Sequence, residues 1–424
     1  MILGRRLKMS MLKKSSFLLC LIIIMIGSVW FIGLKNDNSS LIGAYVDGEY
    51  ASNIPSKDAG YVVEKIVCDN EAVGEWNYDD WGLLVKNMTK KSKCNVYFRK
   101  GIKLADTITL VDATGKCPTV NDDGSVNVTS AESENSLLCM APDNYGTSYY
   151  FRGNVQNNYV YFANFYWRII RINGDGSIRM IYDGTMAHEN GEANEDRIIG
   201  TSAFNEKGDD NAYVGYMYGT AGSSTYEETH ANINDSKIKK YLDTWYKNTL
   251  NATEYERYLT DNEFLGNRSL GSNEGNVGFL NNKTLYYWYY LANSSLKTSL
   301  HGSSEDNYTI SSSAVGNKKL NYPIGLISME ETILSGAYNV ENKKFFLYSG
   351  INYWTMTADS FMTSNNLAHN RIIGSSGCAG YCGGVAEGGG RVVWEMLGVK
   401  PVINLKPNSL KLGDGTISNA YSVS

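Results

Sequence analysis

Residues 161–185 read YFANFYWRIIRINGDGSIRMIYDGT, and this pattern decides the fold. Runs rich in aromatic and β-branched residues flank Asn173-Gly174-Asp175-Gly176, residues that tolerate positive φ and so favour a tight turn. With residues 159–160 in front, the stretch is expected to run strand, strand, tight turn, strand. Working downstream, Asp235 stands where an N-cap belongs, ahead of SKIKKYLDTWYKNTL (236–250). There Ile238, Tyr241, Leu242 and Trp245 share one face at helical spacing, a stripe expected to face the core. PIGLIS (323–328) reads as a buried strand ending at Ser328, whose capping box with Glu331 opens a helix that Gly336 closes. VKPVINLKPNSLKLGDGTISNAYSV (399–423) reads as a buried strand and a terminal hairpin.

Upstream of residue 146 the pattern weakens. Residues 101–145 carry short strands such as 107–111 and the turn-rich NDDGSVN (121–127), and read as a linker or partial module. In residues 55–100, YVVEKIVC (61–68) and CNVYF (94–98) bracket WNYDDWGLLVKNM (76–88), the pattern of a small β-sandwich-like module. Residues 35–54 are polar without a sustained period and read as a spacer.

The N-terminus carries the topology. Arg5, Arg6, Lys8, Lys13 and Lys14 precede an unbroken apolar run over 17–34, and 18 residues of helix would span about 27 Å, close to a hydrocarbon core. The run is longer than a signal-peptide core and no small-x-small cleavage site follows, so it reads as an uncleaved signal-anchor helix. The basic flank places residues 1–16 in the cytoplasm and the rest outside, with the lipid bilayer as partner of residues 17–34. Leu19 before Cys20 argues against a lipidated cysteine.

Six cysteines remain, Cys68, Cys94, Cys117, Cys139, Cys378 and Cys382, an even number that suits an oxidising compartment. The economical connectivity joins neighbours, 68 with 94, 117 with 139 and 378 with 382. Net charge is −5, and no Lys/Arg run follows the first fourteen residues, which excludes the footprint of nucleic-acid binding. Tyr reaches 31 and often sits beside Asn, Ser and Gly, a usage shared by half-exposed strands and recognition surfaces.

YFANFYWRIIRINGDGSIRMIYDGT, PIGLISMEETILSGAY (323–338), YWTMTADSF (353–361) and GVKPVINLK (398–406) together resemble a domain of surface proteins in low-GC Gram-positive bacteria. That domain is similar to the C-type-lectin and formylglycine-generating-enzyme fold, and the match covers residues 146–424. GYVVEKIVCDN (60–70), GEWNYDDW (74–81) and CNVYF resemble a module that accompanies it. Lys400 stands where Arg is expected before Pro401, and Ala358-Asp359 replaces an expected Ser-Pro. The resemblance implies an α+β, C-type-lectin-like mixed domain, preceded by the β-sandwich-like module and the transmembrane helix. It carries no established activity.

In such a fold irregular loops on a sheet scaffold bear the binding residues. The loops 360–370 and 373–390, with the aromatic residues that flank them, supply the ligand-binding candidates Tyr353, Asn365, Asn366, Asn370, Tyr381 and Glu387, while Trp354 and Trp394 are expected in the core. Catalytic motifs are missing from the sequence: no GxSxG, no GxxxxGK[ST], and no HExxH among His188, His230, His301 and His369, each expected on the surface or in a loop. The turns NGDGS and LGDGTIS offer one carboxylate each, too few for calcium, and no metal or other cofactor is expected. Ser-Ser-Gly-Cys (375–378) suggests a cysteine nucleophile, yet no His follows it to act as base. The expectation is a membrane-anchored extracellular protein that binds a glycan, a peptide or another surface protein. The alternatives are a cell-envelope enzyme with a cysteine nucleophile, or a structural envelope component.

Overall fold

In the computed structural model the described residues are 41–56, 59, 61–77, 80–89, 91–100, 117–128, 136–266, 296–302, 307–337, 340–362, 365–379, 390–407 and 409–423. The chain divides into two compact units, Met1–Lys103 and Leu104–Val423.

In the first unit LIGAYV forms β1 (Leu41–Val46) and turns through Asp47 (φ 51) and Gly48 (φ 89) into β2 (Glu49–Ala51). Two successive positive φ values are what a tight two-residue hairpin requires. β3 (Tyr61–Cys68) is followed by the hairpin β4 (Val73–Asn77) and β5 (Gly82–Lys86), and then by β6 (Lys93–Lys100). The sheet order is β2-β1-β6-β3, with β1 parallel to β6 and Cys68 directly opposite Cys94. Along β6, Val96 and Phe98 are buried with Ala44, Val63 and Trp76, while Asn95 and Tyr97 face outward. The expected spacer over 35–54 is corrected here: residues 41–51 are strands, because alternate apolar residues of LIGAYV have a core to enter.

The second unit opens with the short strands β7 (Thr119–Val120) and β8 (Val126–Val128). β9 (Ser136–Asp143) and β10 (Gly146–Gly153) form a hairpin, so the main unit begins upstream of residue 146. β11 (Tyr159–Phe162), β12 (Phe165–Ile172) and β13 (Ile178–Gly184) follow as the quoted stretch anticipates. At their turn Asn173 donates its amide to the Ser177 carbonyl at 2.9 Å, and Gly176 sits at φ 83. These strands belong to a nine-stranded sheet, in which Val402–Leu405 pairs with β13 and Tyr421–Val423 runs parallel to β11.

The expected α+β class is corrected. Among the described residues strand holds 41% and helix 11%, and the protein is mainly β. The α-helices are Tyr226–Thr229, Lys237–Thr249 and Met329–Ser335, too short in total to form a layer. The physical reason lies in the sequence between them, where Tyr, Val, Ile and Thr runs are broken every few residues by Gly, Asn and Asp. The first long helix is capped by Ser236 rather than Asp235, the Ser236 hydroxyl accepting the Lys239 amide, while Asp235 ion-pairs with Lys239 at 3.1 Å. Ile238, Leu242 and Tyr246 form its buried face. The Ser328–Glu331 capping box is present, and Gly336 (φ 123) ends that helix. The segment 17–34 and residues 1–16 lie outside the described residues. No helix among the described residues is long and apolar enough to cross a membrane, so the structure lends the expected anchor no support.

Buried charged nodes tie the elements of this unit together. Asp143, at the end of β9, accepts Arg171 at 2.8 Å, and Glu331 accepts both Arg171 (2.9 Å) and Arg179 (3.2 Å). Glu263 lies beside them and accepts Asn144 (2.7 Å) and Asn307 (3.0 Å). Burial, with Asp143 adding repulsion, pushes the Glu263 carboxyl up to about 7 against the pull of Asn144 and both arginines. At the second node Asp183 faces Arg197 (2.8 Å), Lys400 (3.4 Å) and Arg168 (3.9 Å). Burial, helped by Arg197 and Arg168, brings the Lys400 ammonium down to about 7 although Asp183 opposes it.

Candidate functional site

A second, five-stranded sheet carries the candidate residues, in the order Thr201–Ser202, Leu397–Gly398, Tyr353–Met362, Leu367–Ile373, Gly390–Val392. Tyr353–Met362 and Leu367–Ile373 form a long antiparallel hairpin. Asn365 and Asn366 lie exposed at its tip, Asn366 at φ 54 in the left-handed region that Asn tolerates.

The register slips twice, between Trp354 and Ala358 and again between Ala358 and Ser360. The second slip leaves Asp359 without a cross-strand partner, and a bulge of this kind re-aims a side chain. The Asp359 carboxylate meets Arg371 Nε at 2.6 Å and accepts the Ser360 hydroxyl at 2.9 Å. His369 lies opposite Ser360, almost fully buried, and its Nδ1 has no hydrogen-bond partner. Burial holds the His369 imidazole below its usual range, although Asp359 and Glu395 pull the other way. Gly390 is opposite Arg371, and a Cβ there would collide with the Asp359 carboxylate. On the other face Asn370 is buried, donating to the Thr355 carbonyl at 2.9 Å, with its Oδ1 unpaired and half-buried Arg391 opposite. This end of the sheet therefore holds a buried acid, hydroxyl, imidazole and guanidinium beneath an exposed amide tip.

The structure separates the sequence candidates. Asn365, Asn366 and Asn370 share the hairpin, the first two exposed and the third inside. Tyr353 is buried, its hydroxyl donating to the Leu347 carbonyl at 3.0 Å, so it packs the core and offers no contact surface. Tyr381, Glu387 and Cys382 lie outside the described residues. Trp354 is in the core, its indole donating to the Ser202 carbonyl at 2.8 Å. Trp394, expected in the core, is 44% exposed and covers Gly208 with its ring edge.

Cys68–Cys94 and Cys117–Cys139 are disulfides, and Cys378 is also disulfide-bonded. His301 is exposed, and His188 and His230 lie in loop or turn positions though buried, but the expectation for His369 is corrected, since it is buried within the strand Leu367–Ile373. His188 is held between Glu192 (2.8 Å) and Asp196 (2.9 Å), and His230 packs on the Tyr226 ring, because each finds a partner inside the fold.

Asp359, Arg371 and Ser360 were missed as site residues. The alternation of His369 and Arg371 in LAHNRII was the available signal; the bulge that delivers Asp359 to them has none in the sequence. Comparison with family models, curated proteins and solved structures finds no match to this chain. The resemblance to lectin-like surface domains thus rests on the quoted phrases alone.

Proposed function

We propose that the chain is an extracytoplasmic binding protein that captures a polar ligand at the tip of the Tyr353–Met362 and Leu367–Ile373 hairpin. The observation that carries the reading is the buried Asp359, Ser360, His369 and Arg371 cluster on the hairpin that ends in exposed Asn365 and Asn366, two cross-strand pairs in from the tip. A charged cluster buried this close to a loop tip is a stiff base for polar contacts, and adaptable amides above it suit glycan or peptide recognition. The disulfides Cys68–Cys94 and Cys117–Cys139, one in each unit, support a location where thiols are oxidised. The alternative of a cysteine nucleophile loses support at Cys378, whose sulfur is already bonded.

The test uses the secreted full chain on a glycan array and on immobilised peptidoglycan fragments. Asn365→Ala with Asn366→Ala should abolish capture and leave the melting temperature unchanged, and Asp359→Asn should weaken capture. Capture that survives both changes would place the ligand elsewhere.

A further inference from the structure

The outward face of the first unit's sheet carries a row that no part of the reading above uses. Cross-strand register aligns Tyr50 on β2, Tyr45 on β1, Tyr97 on β6 and Lys65 on β3. Tyr45 and Tyr97 stack at 4.7 Å between centroids, Tyr50 stands edge-on to Tyr45 at 5.8 Å, and Lys65 Nζ lies 4.8 Å from the Tyr97 ring centre. At about 4.8 Å between strands the row spans about 14 Å. Tyr50 is 61% exposed, and no hydrogen bond among the described residues engages the three hydroxyls. The next row brings Asn95 beside Gly43, where a side chain would strike the Asn95 amide.

We propose that this face is a binding site for an acidic polysaccharide lying across the strands, with a pyranose ring on Tyr50 and its carboxylate toward Lys65. The charge of the face selects the ligand. Lys65, Lys93 and Arg99 occupy outward positions, against Glu64 at the β3 bulge and Asp69 opposite Lys93. Rigid phenol rings with free hydroxyls meet sugar hydroxyls at low entropic cost, and Tyr is favoured on recognition surfaces for that reason. Aromatic pairs also stabilise a sheet. That role asks neither for free hydroxyls nor for an exposed Tyr50. This face and the hairpin tip belong to different units, so either assignment stands without the other.

The experiment is titration calorimetry of the full chain with polygalacturonate oligomers, with neutral xylohexaose as control. Tyr50→Ala should weaken polygalacturonate binding about tenfold, the loss of about one stacking contact. Lys65→Met should weaken it and flatten its salt dependence. Tyr45→Phe with Tyr97→Phe preserves the stack and should still reduce affinity, which separates recognition from folding. Asn365→Ala with Asn366→Ala should leave it unchanged. Three results would overturn the site: no binding at millimolar oligomer, binding indifferent to Tyr50→Ala and Lys65→Met, or equal affinity for xylohexaose or a DNA oligonucleotide.

Discussion

Arg171 Nε and Glu331 Oε1 lie 2.9 Å apart in the core, joining a central strand of the nine-stranded sheet to the first turn of the Met329–Ser335 helix. The same carboxylate accepts Arg179 from β13 and the Ser328 backbone amide. One side chain thus closes a capping box and neutralises two buried guanidiniums, and burial would raise it were those cations not holding it below the usual carboxylate range. Glu331→Gln strips Arg179 of its paired carboxylate, while Arg171 keeps Asp143. The expected loss is about 3–5 kcal/mol, since breaking a buried pair strands its partner. Thermal denaturation should show the midpoint lowered by roughly 10 °C, and an unchanged midpoint would remove the node from the stability of the fold.

Glu263 should make stability fall with rising pH. Its folded value is raised to about 7 from 4.5, so between those values the native state holds a proton that the unfolded state has lost. The contribution is fully present below about pH 4.5 and is lost as pH rises through about 7. Glu263→Gln keeps a neutral group in place. The stability difference, wild type minus variant, should shrink by about 2–3 kcal/mol from pH 4.5 to 8, read from urea midpoints. A difference flat across that window would count against a protonated Glu263.

Lys400 should act in the opposite sense. Its folded value is lowered to about 7 from 10.5, so above pH 7 the unfolded state binds the extra proton and stability rises with pH until about 10.5. Lys400→Met removes that slope. Urea midpoints at pH 6.5, 8 and 9.5 should climb for the wild type relative to the variant, by about 1 kcal/mol or more. Parallel curves would mean that Lys400 stays charged through this range.

Cys117 and Cys139 close a loop with a sequence separation of 22 around the start of the main unit. Serine at both positions should lower stability by about 3 kcal/mol, the effect of cross-linking a loop of this size in the unfolded chain. Because Cys139 lies on β9, hydrogen exchange should accelerate first in β9 and β10, and uniform acceleration would argue against a local role.

Local signals in the sequence marked local structure well. The Asn173–Gly176 turn, the strands around it, the Ser328–Glu331 capping box and the closing Val402–Leu405 strand each depend on neighbours a few residues apart, and each formed where its pattern placed it. The N-cap at Asp235 missed by one residue, because Ser236 competes for the same amides and the Lys239 ammonium draws Asp235 away. At the candidate site the two exposed amides were visible as loop chemistry. Tyr353 was misplaced, since an aromatic residue beside a loop can turn inward when a carbonyl such as that of Leu347 waits for its hydroxyl.

By itself the sequence determined the turns, the alternation of strands and the absence of any long basic run, all of which follow from residue type and spacing along the chain. Only the tertiary structure decided that the protein is mainly β, that residues 41–51 join a sheet, and that Asp359, His369 and Arg371 meet. Pairing across a sheet and the position of a bulge depend on contacts between distant segments. The shifts of Glu263 and Lys400 depend on how many charges the fold buries together, which no local pattern encodes.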